Sequence, residues 1–113
     1  MSVSNLNLLR HILDEINFIL KATEGKTKEA AVSDPVLSRA LIRSLEIIGE
    51  ASRKIEEAFK SKYPEVEWKK MAGTRNRLIH DYFGVDYDIV YDIIENKLPK
   101  LKILITSIIN EVE

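Results

Sequence analysis

The chain has 113 residues, a net charge of −1 and no cysteine. A chain of this length forms one domain, residues 1–113, and the lack of cysteine excludes disulfides, thiolate zinc sites and thiol catalysis. Hydrophobic residues make up 45% and charged residues 31%, which is the balance of a globular protein. The longest nearly apolar run, residues 103–109, falls short of the ~18 residues that suggest a membrane span, and the amino terminus lacks the pattern of a signal peptide. We therefore expect a cytoplasmic protein with no membrane partner.

The first predicted helix follows from apolar residues at alternating steps of three and four. They are Leu6, Leu9, Leu13, Ile16 and Leu20. Residues 21–33 contain Gly25 and little hydrophobic period, which predicts a loop or a frayed helix end. His11 lies in the first helix away from other metal-binding side chains, so we interpret it as structural or exposed and predict no metal site.

A long second helix is predicted to begin at Asp34-Pro35, where a capping side chain precedes a proline at the first helical position. It should end near residues 63–64, after about six turns. Gly49 costs about 1 kcal/mol in mid-helix relative to Ala, so we expect a close approach to the backbone there. The predicted inner face comprises Leu37, Ala40, Leu41, Ser44, Ile47, Ile48, Ala51, Ile55, Ala58 and Phe59.

Three further helices are predicted after residue 66. The third covers about 67–83 and ends at Gly84, and the fourth begins at the capping residue Asp86 and runs to about Lys97. Pro99 interrupts the chain and starts a fifth helix. Its predicted inward residues are Leu101, Leu104, Ile105, Ile108 and Val112. No strand is predicted, so the fold class is an all-α, antiparallel bundle of four to five helices.

The candidate chemistry lies in residues 75–82, which read RNRLIHDY. Arginine offers a planar set of donors that matches phosphate oxygens, and histidine transfers protons near neutral pH. On a straight helix Arg75 aligns with Tyr82, and Asn76 aligns with His80, unless a wide turn brings Arg75 and His80 together. The two stripes would border one cleft.

Charge gives conflicting indications about the substrate. A net charge of −1 counts against a nucleic-acid binder. However, Lys69, Lys70, Arg75 and Arg77 cluster, and acidic residues follow them. Two readings stay open, since these runs are either solvated helix faces or a functional patch.

The spacing R-x-x-x-x-H-x-Y, preceded by Trp68 and followed by Phe83-Gly84, resembles the motif of the HEPN superfamily, specifically the HepT-type toxins. A shorter match at residues 48–51, IGEA, is also similar to that family. The resemblance implies an HEPN-like helical domain and a metal-independent endoribonuclease toxin, of a type VII-like toxin-antitoxin pair, that needs no cofactor. Family members pair with a small nucleotidyltransferase antitoxin.

The resemblance also implies roles for individual residues. Arg75 and His80 would be catalytic, with Asn76 and Asp81 supporting them and Lys70 and Arg77 binding RNA. Tyr82 matches the position that the partner nucleotidyltransferase modifies with AMP. One Arg and one His supply only half of the acid, base and charge that RNA cleavage needs, so a homodimer would complete the site at its interface.

Two alternatives remain. The chain could be a non-catalytic helical subunit that docks a nucleotidyltransferase or presents its substrate, or a purely structural bundle. For His80, the alternative role is a half-buried histidine bonded to a carbonyl, and for Arg75 it is a surface salt bridge worth at most about 1 kcal/mol. Asn76 and Tyr82 could simply pack in the bundle.

Overall fold

The fold is all-α, as predicted. The computed structural model describes residues 4–78 and 84–113, apart from the side chain of Arg75, and these residues contain no strand. In chain order the helices are α1 (Asn5–Thr23), α2 (Lys28–Ser33), α3 (Pro35–Lys54), α4 (Glu57–Lys60), α5 (Trp68–Ala72), α6 (Thr74–Leu78), α7 (Tyr87–Asp92) and α8 (Leu98–Val112), with a π-helical segment, Ile93–Lys97, between the last two.

The three long helices form the bundle. Helix α1 packs most extensively against α3 and α8. The backbone N–H of Glu56, just after α3, donates to Oδ1 of Asn5 at the start of α1, at 3.2 Å. Arg10 in α1 forms a 2.8 Å ion pair with Glu113, the residue after α8. The first contact joins the end of α3 to the start of α1, and the second joins the end of α8 to the first half of α1. Helices α3 and α8 therefore run antiparallel to α1.

The predicted first helix is confirmed, but its buried face is wider than one stripe. Ile12 and Ile19 are fully buried, whereas the predicted Leu6, Leu13 and Leu20 are only partly buried. The reason is that α1 packs against two helices, α3 and α8. Two neighbours cover a wider part of its surface than the single stripe that was predicted.

The prediction of a loop for residues 21–33 is wrong for its second half, which forms α2. Oγ1 of Thr27 accepts a hydrogen bond from the Ala30 N–H at 3.1 Å, and Ala31 is fully buried. A helix of six residues is too short to show a hydrophobic period. Gly25, with φ of +72°, forms the turn between α1 and α2.

The predicted start of the long helix is confirmed, and its predicted end is wrong. Oδ1 of Asp34 accepts hydrogen bonds from the next helical N–H groups at 3.0 and 3.1 Å, and Pro35 is the first residue of α3. The helix stops at Lys54, because Ile55 takes an extended conformation that buries its side chain. Beyond that bend Ala58, predicted to face inward, is exposed.

The predicted third helix is divided in two at Gly73, which has φ of −88° and ψ of 2°. The buried side chains Trp68 and Met71 belong to α5, and Leu78 belongs to α6. Residues 79–83, which the prediction included in this helix, lie outside the described residues. Gly84 has φ of +90°, a conformation that favours glycine.

Asp86 caps α7 as predicted, accepting from the N–H groups of Asp88 and Ile89. The predicted fifth helix is confirmed as α8, with Pro99 in its first turn. The predicted interruption before it is wrong, because α7, the π-helical segment and α8 follow without a break. In an α-helix the proline ring clashes with the carbonyl four residues earlier, and the wider π turn gives it room. Val112, predicted to face inward, is 41% exposed.

No helix in residues 4–78 or 84–113 is long and apolar enough to cross a membrane.

Candidate functional site

Helix α6 carries the first part of the motif and is anchored from its inner side. Thr74 is buried and donates from Oγ1 to the carbonyl of Lys70 at 2.9 Å, and Leu78 is fully buried in the core. These two residues are one helical turn apart, so they fix one face of α6 against the bundle. Asn76 and Arg77 lie on the other faces and are exposed.

The predicted catalytic and modified residues are only partly covered by the described structure. Arg75 belongs to α6, but its side chain is outside the described residues, as are all of His80, Asp81 and Tyr82. Whether Arg75 and His80 converge therefore stays a prediction. The two predicted helical stripes also stay a prediction, since both of them extend beyond residue 78.

The position of α5, which leads into α6, is set by its close packing on α3. A Cβ atom on Gly49 would lie 2.8 Å from the carbonyl oxygen of Met71, closer than real contacts allow. Nη2 of Arg53, one turn later on α3, donates to the carbonyl of Ala72 at 3.3 Å. The prediction that another helix approaches the backbone at Gly49 is confirmed, and that helix is α5.

A groove of about 210 Å³ runs between α3, α5, α6, the π-helical segment and α8. Its floor is apolar and includes Leu45, Met71 and Leu104. Its rim carries four cationic side chains, and we call it the cationic groove. They are Lys70, Arg77, Lys97 and Lys100.

The cationic groove brings together the two residues that were predicted to bind substrate, Lys70 and Arg77. It also adds Lys97 and Lys100, which the sequence analysis missed. These lysines are about 20 residues away from the motif in sequence, and they reach the groove because the π-helical segment and α8 line it together with α5 and α6. Their three-residue spacing on one helical face with Leu101 and Leu104 was the available signal.

Glu67 partly neutralises this rim. Lys70 donates from Nζ to Oε2 of Glu67 at 2.7 Å, and Nζ of Lys97 lies 3.7 Å from its Oε1. The hydrogen bond and charge of Lys70, followed by the charge of Lys97, lower the pKa of Glu67 below its ordinary 4.5. In the described part of the chain Arg77 and Lys100 have no ion-pair partner, and both side chains are exposed at the rim.

Helix α6 carries its motif positions on different flanks, and only one of these flanks faces the groove. Successive helical residues are about 100° apart, so Thr74 and Arg77 share the flank that faces the groove. Arg75 occupies the opposite flank of α6 by its position, and Asn76 lies on the outer face. A ligand in the groove would therefore lie beside the motif helix.

Within the described ranges, no group of three or more His, Cys, Asp or Glu side chains could hold a metal ion. His11 is exposed, in agreement with one of its two predicted roles.

The chain is similar to one ribonuclease family over most of its length. The family model described as "Ribonuclease HepT-like" matches residues 12–108. A protein named "Putative RNase" from Caldanaerobacter subterraneus subsp. tengcongensis is 44% identical, covering 91% of this chain and 92% of that protein. Another of that name from Methanocaldococcus jannaschii is 43% identical over 93% of this chain and 87% of its own length.

A protein named "Probable ribonuclease HepT" from Thermococcus cleftensis is 39% identical over 90% of this chain and 93% of that protein. No solved structure matches the chain significantly.

Proposed function

Because the chain belongs to the HepT-like ribonuclease family, we propose that it is an endoribonuclease toxin that cleaves RNA by acid and base catalysis without a metal ion. The family match over residues 12–108 carries this proposal, since it includes the whole motif and both walls of the cationic groove. The exposed Asn76 and Arg77 on α6 and the cationic rim beside them are suited to a polyanionic substrate.

The proposed reaction begins with removal of the proton from a ribose 2′-hydroxyl. The 2′-oxygen attacks the adjacent phosphorus, the bond to the 5′-oxygen breaks, and that oxygen leaves with a proton. His80 transfers these protons, Arg75 stabilises the charge of the phosphorane, Asn76 orients the substrate, and Asp81 supports His80. The products are a 2′,3′-cyclic phosphate and a free 5′-hydroxyl.

In this proposal the site is completed by a homodimer. One protomer supplies a single His80 and a single Arg75, whereas two protomers related by a two-fold axis supply both an acid and a base, with two guanidinium groups. Neutralisation follows from transfer of AMP to Tyr82 by a cognate nucleotidyltransferase. The added phosphate would place negative charge beside Arg75 and block RNA.

The catalytic proposal is tested with a labelled single-stranded RNA in EDTA. We expect His80→Ala and Arg75→Ala to lower the cleavage rate about 100-fold or more, because a positioned proton-transfer group or charge donor is worth at least that much. The matched controls are His11→Ala and Arg43→Ala, which remove exposed residues of the same type from α1 and α3. Equal rates for all five proteins would contradict the proposal.

The AMP proposal is tested by incubation with the cognate nucleotidyltransferase and ATP. We expect a mass increase of one AMP that is lost in Tyr82→Phe and kept in Tyr87→Phe. A protein whose mass does not change, or which is modified equally in Tyr82→Phe, would contradict modification at this tyrosine.

The second candidate function is a non-catalytic subunit that docks a nucleotidyltransferase or presents its substrate. The net charge of −1 favours it. It predicts stable binding to the transferase together with intact RNA in the EDTA assay.

A further inference from the structure

We propose that the cationic groove holds one unpaired base of a single-stranded RNA, with the flanking phosphates on the cationic rim. This proposal rests on the proposed ribonuclease function, and it assigns to this chain a nucleotide subsite beside the motif helix. It adds Lys97 and Lys100 to the residues that contact RNA.

The size and the floor of the groove fit one ring system. Its volume of about 210 Å³ is below the roughly 300–1,000 Å³ of pockets that enclose drug-sized ligands. The floor is formed by aliphatic side chains from three helices, among them Ile48, Leu98 and Leu101. Proteins that take a base out of its stack commonly place it between apolar side chains.

The charges on the rim fit phosphate. Arg77 and Lys100 have no ion-pair partner among the described residues, and Lys70 and Lys97 share the single carboxylate of Glu67. Four cations against Glu65 and Glu67 leave the groove positive in a chain whose net charge is −1. A ligand that is flat and apolar in the middle and anionic at both ends matches this distribution.

The groove is also placed for a strand that reaches the motif. Arg77 on its rim and the position of Arg75 lie on opposite flanks of α6, with the exposed Asn76 between them on the outer face. A strand that leaves the groove across the outer face of α6 therefore runs toward the motif position Arg75. A base-paired strand cannot release a base without breaking the duplex, so the subsite selects single-stranded RNA.

The proposal is tested with a fluorescent 2′-O-methyl oligonucleotide, which the proposed reaction cannot cut, so that binding is measured independently of cleavage. Affinity is measured over a series of salt concentrations. We expect Lys100→Ala to reduce the slope of log affinity against log salt by about 0.7, the value for one lost phosphate contact on a single strand. The matched control Lys102→Ala removes an exposed lysine from the same helix outside the groove and should leave the slope unchanged.

The apolar floor is tested by filling it. We expect Leu101→Trp to weaken binding by roughly tenfold, the magnitude associated with loss of one base contact. The control Ile103→Trp adds the same side chain on the exposed side of α8, where Ile103 is 71% exposed. An oligonucleotide with an abasic site should bind the native protein roughly tenfold more weakly than the intact oligonucleotide does. The two oligonucleotides should bind Leu101→Trp with the same affinity, because the base no longer has a place in the groove.

Three results would overturn the subsite. The first is equal salt slopes for Lys100→Ala and Lys102→Ala. The second is a change of oligomeric state in Leu101→Trp during sedimentation, which would make the groove an interface between copies of the chain. The third is binding of free AMP as tight as that of the oligonucleotide. If the native protein binds through the groove but never cleaves RNA, the proposed function fails while the subsite stands.

Discussion

A missing side chain at Gly49 sets the distance between α3 and α5. Its Cβ would lie 2.8 Å from the backbone oxygen of Met71, and backbone cannot rotate away as a side chain can. We expect Gly49→Ala to lower the free energy of unfolding by about 1–3 kcal/mol, the usual cost of overpacking. Cleavage of RNA should fall as well, because α5 leads directly into α6. Denaturant unfolding and the cleavage assay measure the two effects.

The control for that variant is Gly25→Ala. No atom lies within 4 Å of a Cβ there, but φ is +72°, so the substitution costs about 1–2 kcal/mol through backbone strain alone. It should destabilise the fold without changing the rate of cleavage per folded molecule. If both variants changed that rate equally, the contact between α3 and α5 would have no special role in placing the motif.

Tyr91 carries a buried polar atom at a cost in stability. It is 6% exposed, and its hydroxyl has no hydrogen-bond partner in the described part of the chain. Burial is the main reason that its pKa lies above 10.0. We expect Tyr91→Phe to leave the free energy of unfolding unchanged or to raise it by up to about 1–2 kcal/mol, since an unsatisfied group is removed without a change of shape. A loss of more than about 1 kcal/mol relative to Tyr87→Phe would show that the hydroxyl has a partner.

Element boundaries that are set by neighbouring residues in the sequence could be predicted, whereas boundaries that depend on tertiary packing could not. The cap at Asp34 followed by Pro35, and the cap at Asp86, identified the starts of α3 and α7 because such hydrogen bonds depend on adjacent residues. The end of α3 at Lys54 could not be predicted, because the bend buries Ile55 in the core, and a core forms only when the whole bundle packs.

One ion pair joins two elements and gives stability a defined pH dependence. Nζ of Lys28 in α2 lies 2.5 Å from Oδ1 of Asp88 in α7. This hydrogen bond, with the charges, raises the pKa of Lys28 above 10.5 and lowers the pKa of Asp88 below 3.8. The stability that Asp88 contributes is therefore present above pH 3.8 and is lost as the pH falls through the folded pKa of Asp88. The stability that Lys28 contributes is lost as the pH rises through the folded pKa of Lys28.

We expect Asp88→Asn to lower the free energy of unfolding by only a small amount, because the ion pair is exposed. The loss should be constant between the folded pKa of Asp88 and that of Lys28. At strongly acid pH the variant and the native protein should be equally stable. Urea unfolding across a pH series measures the difference. In a Lys28→Met background Asp88→Asn should have no effect beyond loss of a surface charge. A difference that persisted at acid pH would assign the effect to another contact.

At the scale of the whole molecule, the proposed dimeric site predicts that an inactive protomer silences its native partner. A mixed dimer of the native protein and the double variant Arg75→Ala/His80→Ala holds only one Arg75 and one His80, which is half of the proposed set. After subunit exchange we therefore expect the cleavage rate to follow the square of the native fraction, so that a 1:1 mixture keeps about a quarter of the native rate. Native protein mixed with His11→Ala is the control, and a rate that falls only in proportion to the native fraction would place a complete site in one protomer.

The tertiary arrangement also explains which parts of the candidate site the sequence could reveal. Lys70 and Arg77 were predicted because they lie close to the motif in sequence. The groove that joins them could not be predicted from the sequence, since its floor combines Leu45 from α3 with Leu104 from α8. Contacts between residues so far apart depend on how complete helices pack, and no short pattern encodes that packing.

The π-helical segment Ile93–Lys97 has a consequence for the length of the polypeptide. A π turn behaves as one additional residue inserted into an α-helix. Deleting one of these five positions would let the helix close into regular α geometry and would leave the residues downstream, including Ile105 and Ile108, on the same faces. Deleting one residue from the first turns of α8 has no such outlet and would turn everything downstream by about 100°, so that Ile105 and Ile108 leave the interior. Natural relatives are therefore expected to differ in length within the π-helical segment rather than within α8.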